Sequence, residues 1–388
     1  MLNIIVMGLT SLLTDVSTEM VYPLLPLFLT TKLGATPAIV GLIEGIAESV
    51  ASLLKVFSGA ISDKVGRRKP LTVAGYSLST LGKLFLITAG SWHAILAGRV
   101  MDRFGKGVRT APRDALIAES SEKHKMGAAF GLHRFMDTMG ASIGIALGYL
   151  LLTRFRGDYR AVFAISIVPA ALGVACLTFV KEKGNAERQS RSLKLNWASL
   201  DPKLRLFLLV AFLFTLGNSS NQFLLLRAQN LGYSAEQVIL LYLAYNLVYT
   251  AFAYPAGKIS DKVGRRLLLV LGYMFYGIVY LGFAFASARW MLPLFALYGL
   301  YIAFTEGVEK ALVADIAPAN QKATLIGLHA TLVGIGLLPA SALAGLLWNT
   351  FGPKAPFLFG GVTGLTASIA LFWVLKGEPL PSRTGEAD

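Results

Sequence analysis

Apolar residues along this 388-residue chain fall into long blocks separated by short polar breaks. The blocks run to roughly 20 residues or more, the length of helix that crosses a hydrocarbon core. Inside a bilayer no water is available to the backbone, so a crossing segment must be a helix or part of a closed barrel. Barrel strands would be short and alternating. These blocks are long and continuous, which predicts helices. Twelve spans are expected, near 4–30, 37–61, 71–90, 93–117, 127–153, 161–180, 205–229, 235–259, 267–288, 290–314, 323–349 and 355–376. The longest polar break lies between spans six and seven and holds Lys181, Lys183, Arg188, Arg191, Lys194, Lys203 and Arg205. The predicted organisation is therefore a six-helix bundle over 1–180, a linker over 181–204, a second six-helix bundle over 205–376 and a polar, disordered tail over 377–388.

Composition agrees. Hydrophobic residues make up 55% of the chain, charged residues only 15%, and mean hydropathy is +0.60, too little polar surface for a soluble domain of this size. The net charge of +14 does not point to nucleic acid, because the basic residues cluster in short loops between apolar blocks. In that position they set membrane orientation. The loops Asp63–Lys69 and Asp261–Arg266 and the central linker would share one side, which predicts both termini in the cytoplasm of an inner, or plasma, membrane. One loop dissents: Arg154, Arg156 and Arg160 would lie on the opposite side. The first apolar stretch is too long for a cleavable signal. The single Cys176 excludes an internal disulfide. P-loop, HExxH, CxxC-pair and GxSxG patterns are missing and the four histidines are dispersed, so no cofactor, metal or enzymatic chemistry is expected.

The two halves repeat. Ser62–Arg68 reads SDKVGRR, and Ser260–Arg266 reads SDKVGRR again, with Gly59 and Gly257 three residues ahead. Ala115–Glu119 (ALIAE) matches Ala311–Asp315 (ALVAD), and Gly131-Leu132-His133 matches Gly327-Leu328-His329. Duplicated bundles of this kind place a binding site near the bilayer midplane between repeats. The twin loops, with Gly59, Asp63, Gly66, Arg67 and Arg68 in one and Gly257, Asp261, Gly264, Arg265 and Arg266 in the other, combine tight-turning glycines with charges able to break and remake contacts. They are the candidate gating elements.

These loops resemble the signature of the major facilitator superfamily. The resemblance covers nearly the whole chain and implies the twelve-helix fold in two pseudo-symmetric bundles, with alternating access. Tyr22-Pro23-Leu24-Leu25-Pro26-Leu27 looks like the proline motif of drug:proton antiporters. Gly131, Gly140, Gly144 and Gly148 are similar to the antiporter glycine motif, although Ile145 and Tyr149 stand where that motif has proline and glycine. Arg99-Val-Met-Asp102-Arg103-Phe-Gly105 partly matches a family pattern whose arginine is associated with proton coupling. Here Asp102 and Arg103 depart from it.

An ionisable residue in a span is costly and usually faces the interior with a partner. Asp15 and Glu19 lie one turn apart in span one, as do Glu44 and Glu48 in span two. With Arg99, Asp102 and Arg103 of span four they form the expected proton-coupling set. Arg103, His133, Arg134 and Asp137 are the substrate candidates of the first half. Asn218, Asn221 and Gln222 of span seven, Tyr245 and Asn246 of span eight, Glu306 and Glu309 of span ten, and His329 are those of the second. The expectation is a monomeric secondary transporter in the lipid bilayer, moving a small organic solute or drug outward in exchange for protons. A proton symporter or organic-anion uptake system is the alternative, and a non-transporting receptor is the remaining one.

Overall fold

The computed structural model describes residues 2–65, 67–121, 126–182, 200–316 and 322–376. All regular structure among them is helical. In chain order the α-helices are α1 (Leu2–Val21), α2 (Leu25–Lys32), α3 (Pro37–Val65), α4 (Lys69–Ile87), α5 (Trp92–Glu119), α6 (Met126–Arg154), α7 (Tyr159–Cys176), α8 (Pro202–Gly217), α9 (Gln222–Asn230), α10 (Ala235–Val263), α11 (Arg265–Phe285), α12 (Met291–Ile316), α13 (Lys322–Phe351) and α14 (Ala355–Val374). A 3-10 turn over Tyr22–Leu24 joins α1 to α2, so they make one span, and Pro23 and Pro26 sit where that span changes pitch.

Among the described residues, eleven segments are long and apolar enough to cross a membrane. The twelfth predicted span is α5, a 28-residue helix whose Arg, Lys and Asp residues take it out of the apolar class. Its charges are tolerated because Arg99, Asp102, Arg103 and Arg109 are all buried. The lipid side shows the inverse pattern of a soluble protein: Leu150, Val168, Phe285 and Trp373 are more than half exposed.

The chain divides into two compact units, one of 1–192 with 221–243 and one of 193–220 with 244–388. The division cuts span seven, because α8 ends at Gly217 and α9 begins at Gln222. The four residues between them, Asn218-Ser219-Ser220-Asn221, are outside helix. Backbone freed inside a membrane must find partners within the protein, and here the Tyr276 hydroxyl donates to the Gly217 carbonyl at 2.8 Å.

In the first unit α1 packs on α6 and α7, and α5 packs on α3 and α4. The α1–α6 contact explains the glycine series. A Cβ on Gly148 would meet the Met20 carbonyl at 2.9 Å, and on Gly140 and Gly144 it would collide with the backbone of Leu12 and Val16. The glycines let two backbones touch, the usual device of helix packing in lipid. The second unit packs α11 on α12 and α14, and α8 on α13 and α14. Its core is aromatic. Phe214 stacks on Tyr273 with centroids 3.8 Å apart, and Tyr276 lies 4.1 Å from Tyr280.

Candidate functional site

In the first unit, helix periodicity carries the charged side chains of α1, α3 and α5 onto facing stripes. Glu44 accepts from Arg99 through two bonds of 2.8 Å, with the carboxylate 1% and the guanidinium 3% exposed. One turn further along, Glu48 pairs with Arg103 at 2.6 Å. Asp102 lies 3.5 Å from both arginines. Five of the seven predicted coupling residues therefore form one closely paired network, buried except for the half-buried Glu48. Arg99 also lies over the Tyr22 ring at 5.5 Å.

Asp15 and Glu19 stand apart from it. Both are half-buried, and among the described residues neither has a cation within 4 Å. Glu19 accepts from the Tyr242 hydroxyl at 3.2 Å within the same unit. The Asp15 carboxyl lies beside that of Asp137. Asp137 also accepts from Ser11 at 2.6 Å and meets the exposed Arg134 at 3.3 Å. So Asp137, expected to touch substrate, lies beside Asp15, and Arg134 is paired with Asp137. His133 is buried on α6.

One member of this region is absent from the sequence-based set. Lys83 of α4 is 3% exposed, and its Nζ lies 3.4 Å from the Thr18 hydroxyl. With Thr18, Tyr22, Arg99 and Asp102 it lines an internal cavity of about 10 Å³, room for roughly one water. A lone lysine in the apolar run Ser-Thr-Leu-Gly-Lys-Leu-Phe-Leu was the signal that could have found it. Arg109, next on the stripe, lies over the Tyr76 ring at 4.3 Å and donates to the Ser79 hydroxyl.

In the second unit the candidates form two small clusters. Glu306 accepts from Tyr249 at 2.8 Å and pairs with Lys310 one turn on at 3.4 Å. Glu309 accepts from Tyr273 at 2.9 Å and faces His329 at 3.4 Å, with Phe207 stacked on the imidazole. The adjacent Glu309 and Lys310 therefore have separate partners. Tyr245 packs against Tyr298 at 5.5 Å, Asn246 is half-buried on α10, and Asn218 donates to Tyr301 at 3.2 Å. Asn221 and Gln222 open α9 and belong to the first unit, so the polar run of span seven is shared between the units.

Each of the twin loops carries an ion pair to the acid that ends the repeated segment. Arg68 meets Glu119 at 2.9 Å, and Arg265 meets Asp315 at 3.0 Å. Glu119 and Asp315 are the acidic ends of the repeated ALIAE and ALVAD segments, but their partners differ by one position, since Arg265 is the repeat equivalent of Arg67 and Arg266 that of Arg68. The backbone N–H groups of Arg68 and Lys69, at the start of α4, donate to Glu182, as suits a carboxylate at a helix N-terminus. Arg266 donates to the Phe372 carbonyl at 3.0 Å, and Arg67 is exposed. Gly264 has φ +95° and sets the sharp turn into α11. Gly66 and the side-chain positions of Gly59, Asp63, Gly257 and Asp261 lie outside the described residues, as do 183–199 of the linker and the tail over 377–388.

Two helical bundles from a duplicated chain, with buried charge networks inside apolar spans, define a membrane transport fold. Comparison with known proteins gives the family. The chain matches the Major Facilitator Superfamily over residues 7–225 and 206–388 and belongs to it. It is 38% identical over 379 residues to an uncharacterized MFS-type transporter of Methanocaldococcus jannaschii, covering 96% of this chain and 94% of that one. It is 26% identical over 368 residues to the multidrug resistance protein MdtH of Klebsiella pneumoniae, covering 91% and 89%. Among solved structures it superposes on the nucleoside transporter NupG with TM-score 0.81 at 13% identity, covering 97% of this chain and all of that one. On a D-xylose-proton symporter the TM-score is 0.75 at 18% identity, with 97% of each covered. At those identities the likeness concerns the fold. The chain is a multi-pass secondary transporter of major facilitator type, and not an enzyme.

Proposed function

We propose that this transporter exports a small organic solute or drug in exchange for protons, as a member of the drug:proton antiporter branch, with both termini in the cytoplasm. The observation that carries the reading is the division of the buried acids. Glu44 and Glu48 are held by guanidinium groups, which are charged at every accessible pH, and serve as clamps between α3 and α5. Among the described residues Asp15 and Glu19 have no cation within 4 Å, Asp137 meets only the exposed Arg134, and all three are half-buried and free to exchange protons as the conformation changes. The glycine contact of α6 with α1 ties that acid group to helix packing, and the multidrug resistance relative adds weight to export. Arg103, tied to Glu48, would sense the charge of the neighbouring acids. The polar groups Asn218, Tyr245, Asn246, Glu306, Glu309 and His329, with Asn221, Gln222 and His133, would supply substrate contacts. The twin loops, each with an ion pair to a helix-ending acid, would gate access.

Against anion uptake stands the pairing of Arg99 with Glu44 and of Arg103 with Glu48, which neutralises two cations of the basic stripe. The test is transport in proteoliposomes under an imposed pH gradient, using ethidium and a panel of neutral and cationic drugs. Proton-driven flux that disappears in Asp15→Asn, while binding and folding persist, is expected. Unchanged proton-driven flux in that variant would refute the assignment, and accumulation along the proton gradient would favour symport.

A further inference from the structure

The loop whose arginines run against the orientation rule borders a cavity of its own. It lies where the end of α2 meets the α6–α7 connection, entirely within the first unit, and measures about 470 Å³. That is the size range of small-ligand sites. Its lining carries Lys32, Arg156 and Arg160 against a single carboxylate, Asp158. Asp158 is already engaged: its Oδ1 caps α7, accepting from the backbone N–H groups of Arg160 at 2.9 Å and Ala161 at 3.3 Å. Arg160 donates to the Ala89 carbonyl at 2.8 Å, a neutral partner that leaves its charge uncompensated. Among the described residues, no acid lies within ion-pairing distance of Lys32, Arg156 or Arg160. Arg156 sits at φ +54° and Gly157 follows at φ +83°. A left-handed arginine costs free energy, and such positions cluster where a site needs them.

The rest of the cavity is apolar. Phe28 and Leu33 line it, and just below the loop the α6 face shows Leu147 and Leu150 outward, one turn apart, 37% and 58% exposed. A connection between two membrane-crossing helices lies at the lipid–water boundary. Three cations above an apolar, lipid-facing strip match the chemistry of a phosphate carried on acyl chains.

We propose that this cavity binds a phosphate-bearing anion, and that its occupant is the headgroup of an anionic phospholipid. The bound lipid neutralises the loop and anchors this end of the first bundle, which accounts for basic residues on the side where orientation disfavours them.

The test uses the full-length protein, purified in detergent and stripped of lipid, with thermal unfolding followed as dioleoylphosphatidylglycerol is added. Dioleoylphosphatidylcholine and inorganic phosphate are the comparison arms, and Arg289→Gln is the charge-loss control. Saturable stabilisation by phosphatidylglycerol is expected in the wild type and in the control, with little from the other two. At roughly fivefold per cation, the half-saturating concentration should rise on the order of a hundredfold in Lys32→Gln/Arg156→Gln/Arg160→Gln. Should that triple variant misfold, Arg156→Gln alone should rise about fivefold. Equal stabilisation by inorganic phosphate, lost in the variants, would overturn the lipid assignment in favour of a soluble phosphate. No response in the wild type, or an unchanged response in the variants, would overturn the site.

Discussion

Removing one partner of the Glu44–Arg99 pair should destabilise the first bundle more than almost any other single change. Both groups are nearly inaccessible, at 1% and 3% exposure, and share two bonds of 2.8 Å. Breaking a buried pair strands a charge and costs about 3–5 kcal/mol. The two single variants are not equivalent. In Glu44→Leu the orphaned Arg99 keeps Asp102 at 3.5 Å and the Tyr22 ring at 5.5 Å, so the cost falls at the lower end of that range. In Arg99→Met the carboxylate of Glu44 loses its guanidinium, and Asp102 loses one of two, so the cost falls at the upper end. The double variant Glu44→Leu/Arg99→Met replaces the pair by apolar groups and should recover most of the loss. Equilibrium unfolding in mixed micelles of maltoside and dodecyl sulfate gives the four free energies of the cycle. Either single variant within about 1 kcal/mol of wild type, or a double variant as unstable as the sum of the singles, would refute the clamp. Retained proton-driven flux in the double variant would further separate this pair from the coupling acids.

Three other outcomes follow from the packing. Gly144→Val forces a branched side chain against the Val16 backbone and should cost about 1–3 kcal/mol in the same assay; a neutral substitution would contradict the α1–α6 contact. Tyr273→Phe removes the hydroxyl that Glu309 accepts from at 2.9 Å, and should cost about 1–3 kcal/mol by thermal unfolding, with His329→Phe in the same background adding less than it costs alone. Asp201→Ala strips the cap of α8, whose Oδ1 accepts from Lys203 N at 2.7 Å and Leu204 N at 3.3 Å, and should cost about 1 kcal/mol.

The fold was legible because a membrane leaves few solutions. Span length, the requirement for closed backbone bonds and the doubled SDKVGRR loop suffice for two helical bundles. The acids were legible too, since Asp15, Glu19, Glu44 and Glu48 stand out in apolar runs. Their partners were not. Helical spacing puts Glu44 and Glu48 on one face, but which arginine meets which acid depends on how α3 crosses α5, and that angle is not written in either helix. Glu44 and Asp15 look alike in sequence and have opposite surroundings. Asp15 and Asp137, which lie side by side, are far apart in the chain. The break in span seven was visible only as a polar run, because Asn218–Asn221 could equally have lined an unbroken helix. Lys83 does not stand out because one lysine hardly lowers the hydropathy of its span, although it is buried and lines the same cavity as Asp102.

The central claim is that the acids of span one exchange protons as substrate binds. It is tested most directly by proton release or uptake from purified protein in weakly buffered detergent, on adding each drug of the panel, in wild type, Asp15→Asn and Glu19→Gln. A ligand-dependent proton signal that is lost or halved in either variant, with binding preserved, is the predicted result. Ligand binding with no proton signal in the wild type would contradict it and leave a uniporter or a receptor.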